Sequence, residues 1–162
     1  MAAGAALSLS FPALAEPLAK PLGGAIILTV GGAIANSNGD GNVFFDLALL
    51  QTLPARDLVT ETPWTKGPHR FTGVPLEALM KWVGARGQTI RVDALNDYSV
   101  DVPIKDGPAH GALVVYLFDG EPMLPSDRGP LWIVYPFRDR PETRTETFYQ
   151  RAVWNVYAMT VR

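Results

Sequence analysis

The chain has 162 residues, no cysteine, and fourteen Lys plus Arg against sixteen Asp plus Glu, for a formal net charge of -2. That composition excludes a disulfide, a thiolate metal ligand and a thiol nucleophile. The mild acidity argues against a nucleic-acid partner or a polybasic membrane surface, which leaves a small molecule or another protein.

Residues 1–15 carry no charge and finish in Ala13-Leu14-Ala15 before Glu16, the small-x-small pattern that signal peptidases cut. We expect a signal peptide over 1–15 and a single mature domain over 16–162, exported to the periplasm. The leader is too short to span a bilayer, and no later apolar run reaches the roughly 20 residues of a membrane helix. The protein is therefore not expected to be membrane-embedded. A mature chain of this length can bury a core that packing alone stabilises.

In chain order, 25–34 reads as a first strand, followed by a Gly- and Asx-rich turn over 36–42 and a short helix over 46–53 with Asp46 as N-cap. A strand over 58–62 runs into the stiff loop Pro63-Trp64-Thr65-Lys66-Gly67-Pro68. Leu76, Leu79, Met80 and Val83 recur at helical spacing between Pro75 and Gly84, which predicts a helix with a proline in its first turn and a glycine stop. Strand patterns follow at 89–94, 98–102 and 112–118, the last closing on the hairpin signal Asp119-Gly120. A strand over 131–135, a short helix over 143–149 and a final strand over 153–161 complete the pattern. Many short strands with a few short helices predict an α+β domain with a mixed, twisted sheet.

Several motifs are weaker than they look. Asn36-x-Asn38-x-Asp40-Gly41 matches the first half of a calcium loop, but the twelfth position is Leu47 instead of a bidentate Glu. An ordinary turn accounts for it. His69 and His110 are the only imidazoles and stand far apart, with no zinc-ligand spacing around either. No serine sits in a Gly-x-Ser-x-Gly elbow, so no catalytic residue is assigned. Trp64 stands on a stiff polar loop, where its indole can stack on a planar heterocycle or cover the edge of the core. Asn96-Asp97-Tyr98 reads as a β-turn that sets a carboxylate, an amide and a phenol side by side. Arg128 precedes the apolar run 131–135, in which alternation puts Trp132 and Val134 on one face and Ile133 and Tyr135 on the other.

Four segments carry a resemblance. They are Phe71-Thr72-Gly73-Val74-Pro75-Leu76, Ala94-Leu95-Asn96-Asp97-Tyr98-Ser99, Asp119-Gly120-Glu121-Pro122-Met123, and Gly129-Pro130-Leu131-Trp132-Ile133-Val134-Tyr135-Pro136. In this order, with Trp154 near the end, they resemble the oxidoreductase molybdopterin-binding domain of the sulfite oxidase family. That resemblance implies an α+β fold of the sulfite oxidase type. Catalytic members of the family hold molybdenum through one cysteine, where this chain reads Thr60-Glu61-Thr62-Pro63-Trp64. The soft ligand is absent, so molybdenum is not expected.

The Thr-Pro-Trp-Thr-x-Gly-Pro and Leu-Asn-Asp-Tyr stretches are closer to the short periplasmic PruR-like proteins. What that likeness implies is binding of a reduced pterin without metal, reported to the periplasmic domain of an inner-membrane enzyme that makes or degrades cyclic di-GMP. The alternative is a molybdopterin-dependent oxidoreductase lacking the cysteine ligand. A pterin's pyrimidine edge presents an N–H and an amino group that a carboxylate accepts in fork geometry. Asp97 is the first candidate for that carboxylate and Glu61 the second. Asn96 or Arg128 could donate to the ring carbonyl, Tyr98 stands beside them, and Trp64 or Tyr135 could supply an aromatic face.

Overall fold

The computed structural model describes residues 18–162, so the signal peptide expected over 1–15 lies outside the described residues. Strands β1 (Ile26–Gly32) and β2 (Val43–Asp46) lead into a one-turn helix, α1 (Leu47–Leu50). Asp46 caps that helix by accepting from Leu49 N at 2.8 Å, and it also accepts from Gly24 N at 2.9 Å. The Leu49 N–H is the largest influence holding the Asp46 carboxyl below its usual range. Next come β3 (Arg56–Thr60), β4 (His69–Pro75) and α2 (Leu76–Val83).

The predicted helical face of α2 is the buried one: Leu76, Leu79, Met80 and Val83 all enter the core. Gly84 ends the helix at φ 66°, a left-handed position that favours glycine. Strands β5 (Thr89–Ala94) and β6 (Ser99–Pro103) form a hairpin in which alternate residues Ile90, Val92 and Ala94 are buried. The rest of the chain is α3 (Asp106–His110), β7 (Leu113–Phe118), β8 (Glu121–Pro122), β9 (Trp132–Val134), a 3-10 turn (Pro141–Thr143), α4 (Glu146–Arg151) and β10 (Val156–Val161).

Two five-stranded sheets result. One runs β2-β1-β10-β5-β6 and the other β3-β4-β7-β8, with β9 paired to β7. The β1–β10 pair is parallel and the other named pairs are antiparallel, which makes the first sheet mixed as expected. A bridge between Leu131 and Val156 links the segment before β9 to β10. A single core is fed by both sheets, and Trp132, Tyr135, Phe45 and Phe71 are its largest fully buried side chains.

Three elements go beyond the sequence reading, and one predicted helix shifts. The segment 69–75 is a strand, β4, because it lies between β3 and β7 and both edges are paired. Residues 43–46 form β2, which the turn-rich residues before them obscured. Residues 106–110 form α3 despite a Gly-Pro pair within it. The helix expected over 143–149 starts later, at Glu146. The Asx-rich turn is a turn: Asn38 Oδ1 accepts from Phe44 N at 2.8 Å, its Nδ2 donates to Phe44 O, and Asn36 Nδ2 donates to Trp82 O at 2.7 Å.

Candidate functional site

The loop between β3 and β4 is folded by its own hydroxyls. Thr62 Oγ1 accepts from Trp64 N at 3.2 Å and shares a 2.8 Å hydrogen bond with Thr65 Oγ1, so the Thr62-Pro63-Trp64-Thr65 turn is fixed from within. Its far end is tied down too. His69 Nε2 lies 3.0 Å from Lys66 O, while Nδ1 lies 2.7 Å from Asp119 Oδ2 in the β7–β8 turn. That imidazole contact is the largest influence lowering the Asp119 carboxyl from its ordinary value.

Trp64 is thereby held edge-on to Trp154, with ring centroids 5.2 Å apart, and 6.1 Å from Tyr149 of α4. Beneath it Trp132 is fully buried and donates its indole N–H to Ala152 O at 3.2 Å. Of the two readings of Trp64 left open by the sequence, the structure shows that it covers the core edge at Trp132, and it also walls a cleft.

That cleft has a volume of about 420 Å³. Pro63, Trp64 and Trp154 form one side, and α4 contributes Glu146, Tyr149 and Gln150. The β5–β6 turn supplies Asn96 and Tyr98. Tyr98 donates its hydroxyl to Gln150 O at 3.1 Å, which fastens the turn to α4. Glu146 Oε1 accepts from Gln150 Nε2 at 3.1 Å, and Oε2 has no donor among the described residues. A mostly apolar cleft with aromatic walls and a few polar groups is the usual arrangement for a flat small molecule.

The other predicted site residues are placed differently. Asp97 is exposed at the apex of its turn, with φ 64°, and does not line the cleft. Glu61 lies across Pro63 in a neighbouring concavity. Arg128 is a strut: Nη2 donates to Trp64 O at 3.1 Å, and the guanidinium sits 5.3 Å from the Trp132 ring. Tyr135 has no exposed face, so it cannot stack on a ligand here. Its hydroxyl donates to Asp106 Oδ2 at 2.7 Å, and burial beside that carboxylate pushes the phenol well above its usual range. Arg151 completes this buried group with a 3.1 Å ion pair to Asp106.

Glu146, Tyr149 and Gln150 were missed as site residues. Their i, i+3, i+4 spacing was the available signal, since it puts all three on one side of a helix.

Neither known family models nor curated proteins match the sequence. Among solved structures, the sulfane dehydrogenase SoxCD from Paracoccus pantotrophus superposes with a TM-score of 0.61 at 15% identity. The match covers 83% of this chain but 37% of that one, so the chain spans well under half of its structural neighbour. The likeness establishes the fold, an α+β domain of the expected sulfite oxidase type.

The metal that this fold type suggests does not suit the residues present. The chain has no thiolate to offer, and among the described residues no three His, Asp or Glu side chains converge as a ligand set.

Proposed function

We propose that the Trp64 cleft binds a reduced pterin without molybdenum, and that the protein works in the periplasm as a ligand-responsive regulator. The observation that carries this reading is the joint placement of aromatic walls, Trp64, Tyr149 and Trp154, with one carboxylate, Glu146, at a cleft of about 420 Å³. A bicyclic heterocycle needs an aromatic face and an acceptor for its N–H and amino edge, and this cleft offers both. Glu146 takes the role that the sequence suggested for Asp97, because Asp97 stands outside the cleft. Asn96 is the side-chain amide at hand for the ring carbonyl, and its Oδ1 is already occupied by Tyr98 N at 3.2 Å. Its Nδ2 is the group left to donate.

The likeness to PruR-like proteins supports the next step. Occupancy of the cleft changes how the protein engages the periplasmic domain of an inner-membrane enzyme that makes or degrades cyclic di-GMP. The test is titration calorimetry of the anaerobic protein with tetrahydrobiopterin. A dissociation constant in the micromolar range is expected. Binding no tighter than millimolar, about 4 kcal/mol, overturns the reading. Stoichiometric molybdenum with reductase activity in protein from its native host would replace it with the oxidoreductase alternative.

A further inference from the structure

Both ring nitrogens of His69 face acceptors. Nδ1 lies 2.7 Å from Asp119 Oδ2 and Nε2 lies 3.0 Å from Lys66 O, and neither a carboxylate nor a carbonyl has a proton to give. A neutral imidazole carries one N–H and can donate to only one of them, which leaves the lone pair of its other nitrogen against an oxygen lone pair. The imidazolium donates to both. The geometry therefore fits the charged ring, and a neutral ring has to give up one contact.

The contact given up is the one to Lys66. Asp119 is fixed independently, since its Oδ1 accepts from Arg70 N at 2.9 Å, and a hydrogen bond to its carboxylate is stronger than one to a neutral carbonyl. The Phe118 ring, with its centroid 4.7 Å from that of the imidazole, also favours the charged form. Thr60, opposite His69 on β3, is uncharged. The other charges of the neighbourhood are Arg70 on the same strand, which faces Asp57 of β3 at 3.8 Å, Glu121 on β8, and Lys66 and Glu61 in the loop. All of these side chains are exposed, and Asp119 alone pairs with the ring among the described residues.

Lys66 stands two residues after Trp64, and between them Thr65 N donates to Thr62 O at 3.3 Å. With His69 charged, the turn is closed from within by its hydroxyls and pinned at its exit to the β7–β8 turn, so Trp64 is held on the cleft wall. With His69 neutral the exit is free, and a ligand has to order it in order to bind. We propose that His69 is a positioning residue that works as a proton-operated latch: when charged it holds Lys66 O, fixes the Trp64 loop, and makes the cleft bind its ligand more tightly as the pH falls from about 8 to about 6. Coupling of this kind is reciprocal, so the ligand also favours the proton. The latch rests on the pterin reading above only for the ligand that reports it.

The latch is read first without ligand. Hydrogen exchange at the Thr65 amide, expressed as a protection factor so that the intrinsic effect of pH cancels, should fall about fivefold between about pH 6 and about pH 8, the worth of one ordinary hydrogen bond. Calorimetry of the anaerobic protein with tetrahydrobiopterin should show a loss of affinity of about the same size over that interval. His69→Gln keeps His110 and the ligand's own titration, so both wild-type responses are measured as the excess over this variant. Asp119→Asn is the second variant, since asparagine suits the left-handed backbone at that position, φ 50°. Without the carboxylate beside the ring, its response should move to lower pH.

Thr65 protection that ignores pH, or a wild-type response that survives undiminished in His69→Gln, overturns the latch and leaves the pterin reading standing. Protection that follows His69 while the affinity for tetrahydrobiopterin does not overturns it as well, because the loop would then move without touching the cleft. Failure of tetrahydrobiopterin to bind at either pH, with the protection response intact, removes the pterin reading and keeps the latch.

Discussion

Trp64 serves the core and the cleft at once, and substitutions can separate the two roles. Trp64→Ala should weaken tetrahydrobiopterin binding by about tenfold or more, the usual worth of an aromatic stacking partner. Trp64→Phe keeps a ring and should retain most of the affinity, so calorimetry on the pair reports stacking instead of general damage. Glu146→Gln leaves shape and helix intact but removes the fork acceptor, and it should lower affinity without moving the melting temperature.

Asp46 gives a residue-scale prediction of another kind. Its folded pKa lies below the unfolded value of 3.8, so the unfolded chain binds the proton more readily in between. The charge therefore stabilises the fold fully above the unfolded pKa, and that contribution is lost as pH falls through the folded one. Asp46→Asn can still cap α1 but carries no charge. The gap in melting temperature between wild type and Asp46→Asn should be largest near neutrality and close as the pH drops below about 4.

At the scale of elements, α2 shows how much a repeating pattern conveys. Its apolar spacing, entry proline and terminal glycine agree with one another, and the helix lies where they put it. Gly84 also lies against Ala35, where an added Cβ would come within 2.8 Å of the alanine Cβ. Gly84→Ala should thus destabilise the protein by about 1 kcal/mol or more, read as a shift in the urea midpoint.

The pattern was silent where pairing, not periodicity, makes the element. Strand β4 contains Gly73 and ends in Pro75, residues that look like loop, yet it is paired on both sides. Gly73 is there because Val114 O passes where a side chain would begin. The site was legible to the same degree. The stiff Trp64 loop and the Asn96–Tyr98 turn were visible as local sequence, whereas the contribution of α4 depends on where that helix docks.

None of the α4 residues is fully buried, but its half-buried Phe148 and Tyr149 pack on the core against Tyr135 and Phe137. The ion pair of Arg151 with Asp106 and the hydrogen bond of Tyr98 to Gln150 O add polar anchors. Asp106→Asn should cost about 3 kcal/mol, the low end for breaking a buried pair, because the Arg151 side chain is 22% exposed and can hydrate. Thermal unfolding measures that loss.

For the whole molecule, ligand and stability are linked. A pterin that binds only the folded chain should add about 2.7 kcal/mol at a hundred times its dissociation constant, and so raise the melting temperature by several degrees. The first sheet adds a feature with consequences in time. Its third strand in spatial order, β10, lies between β1 and β5, with Ala158 opposite Thr29 and Val161 opposite Ile90. Among the described strands, the one that joins the two halves of the sheet is thus the last in chain order. Until those six residues dock, β1 and β5 each keep a bare edge that invites pairing with other chains. Completion of the first sheet waits on its final strand, and a chain in which that strand is undocked presents two open edges to its neighbours.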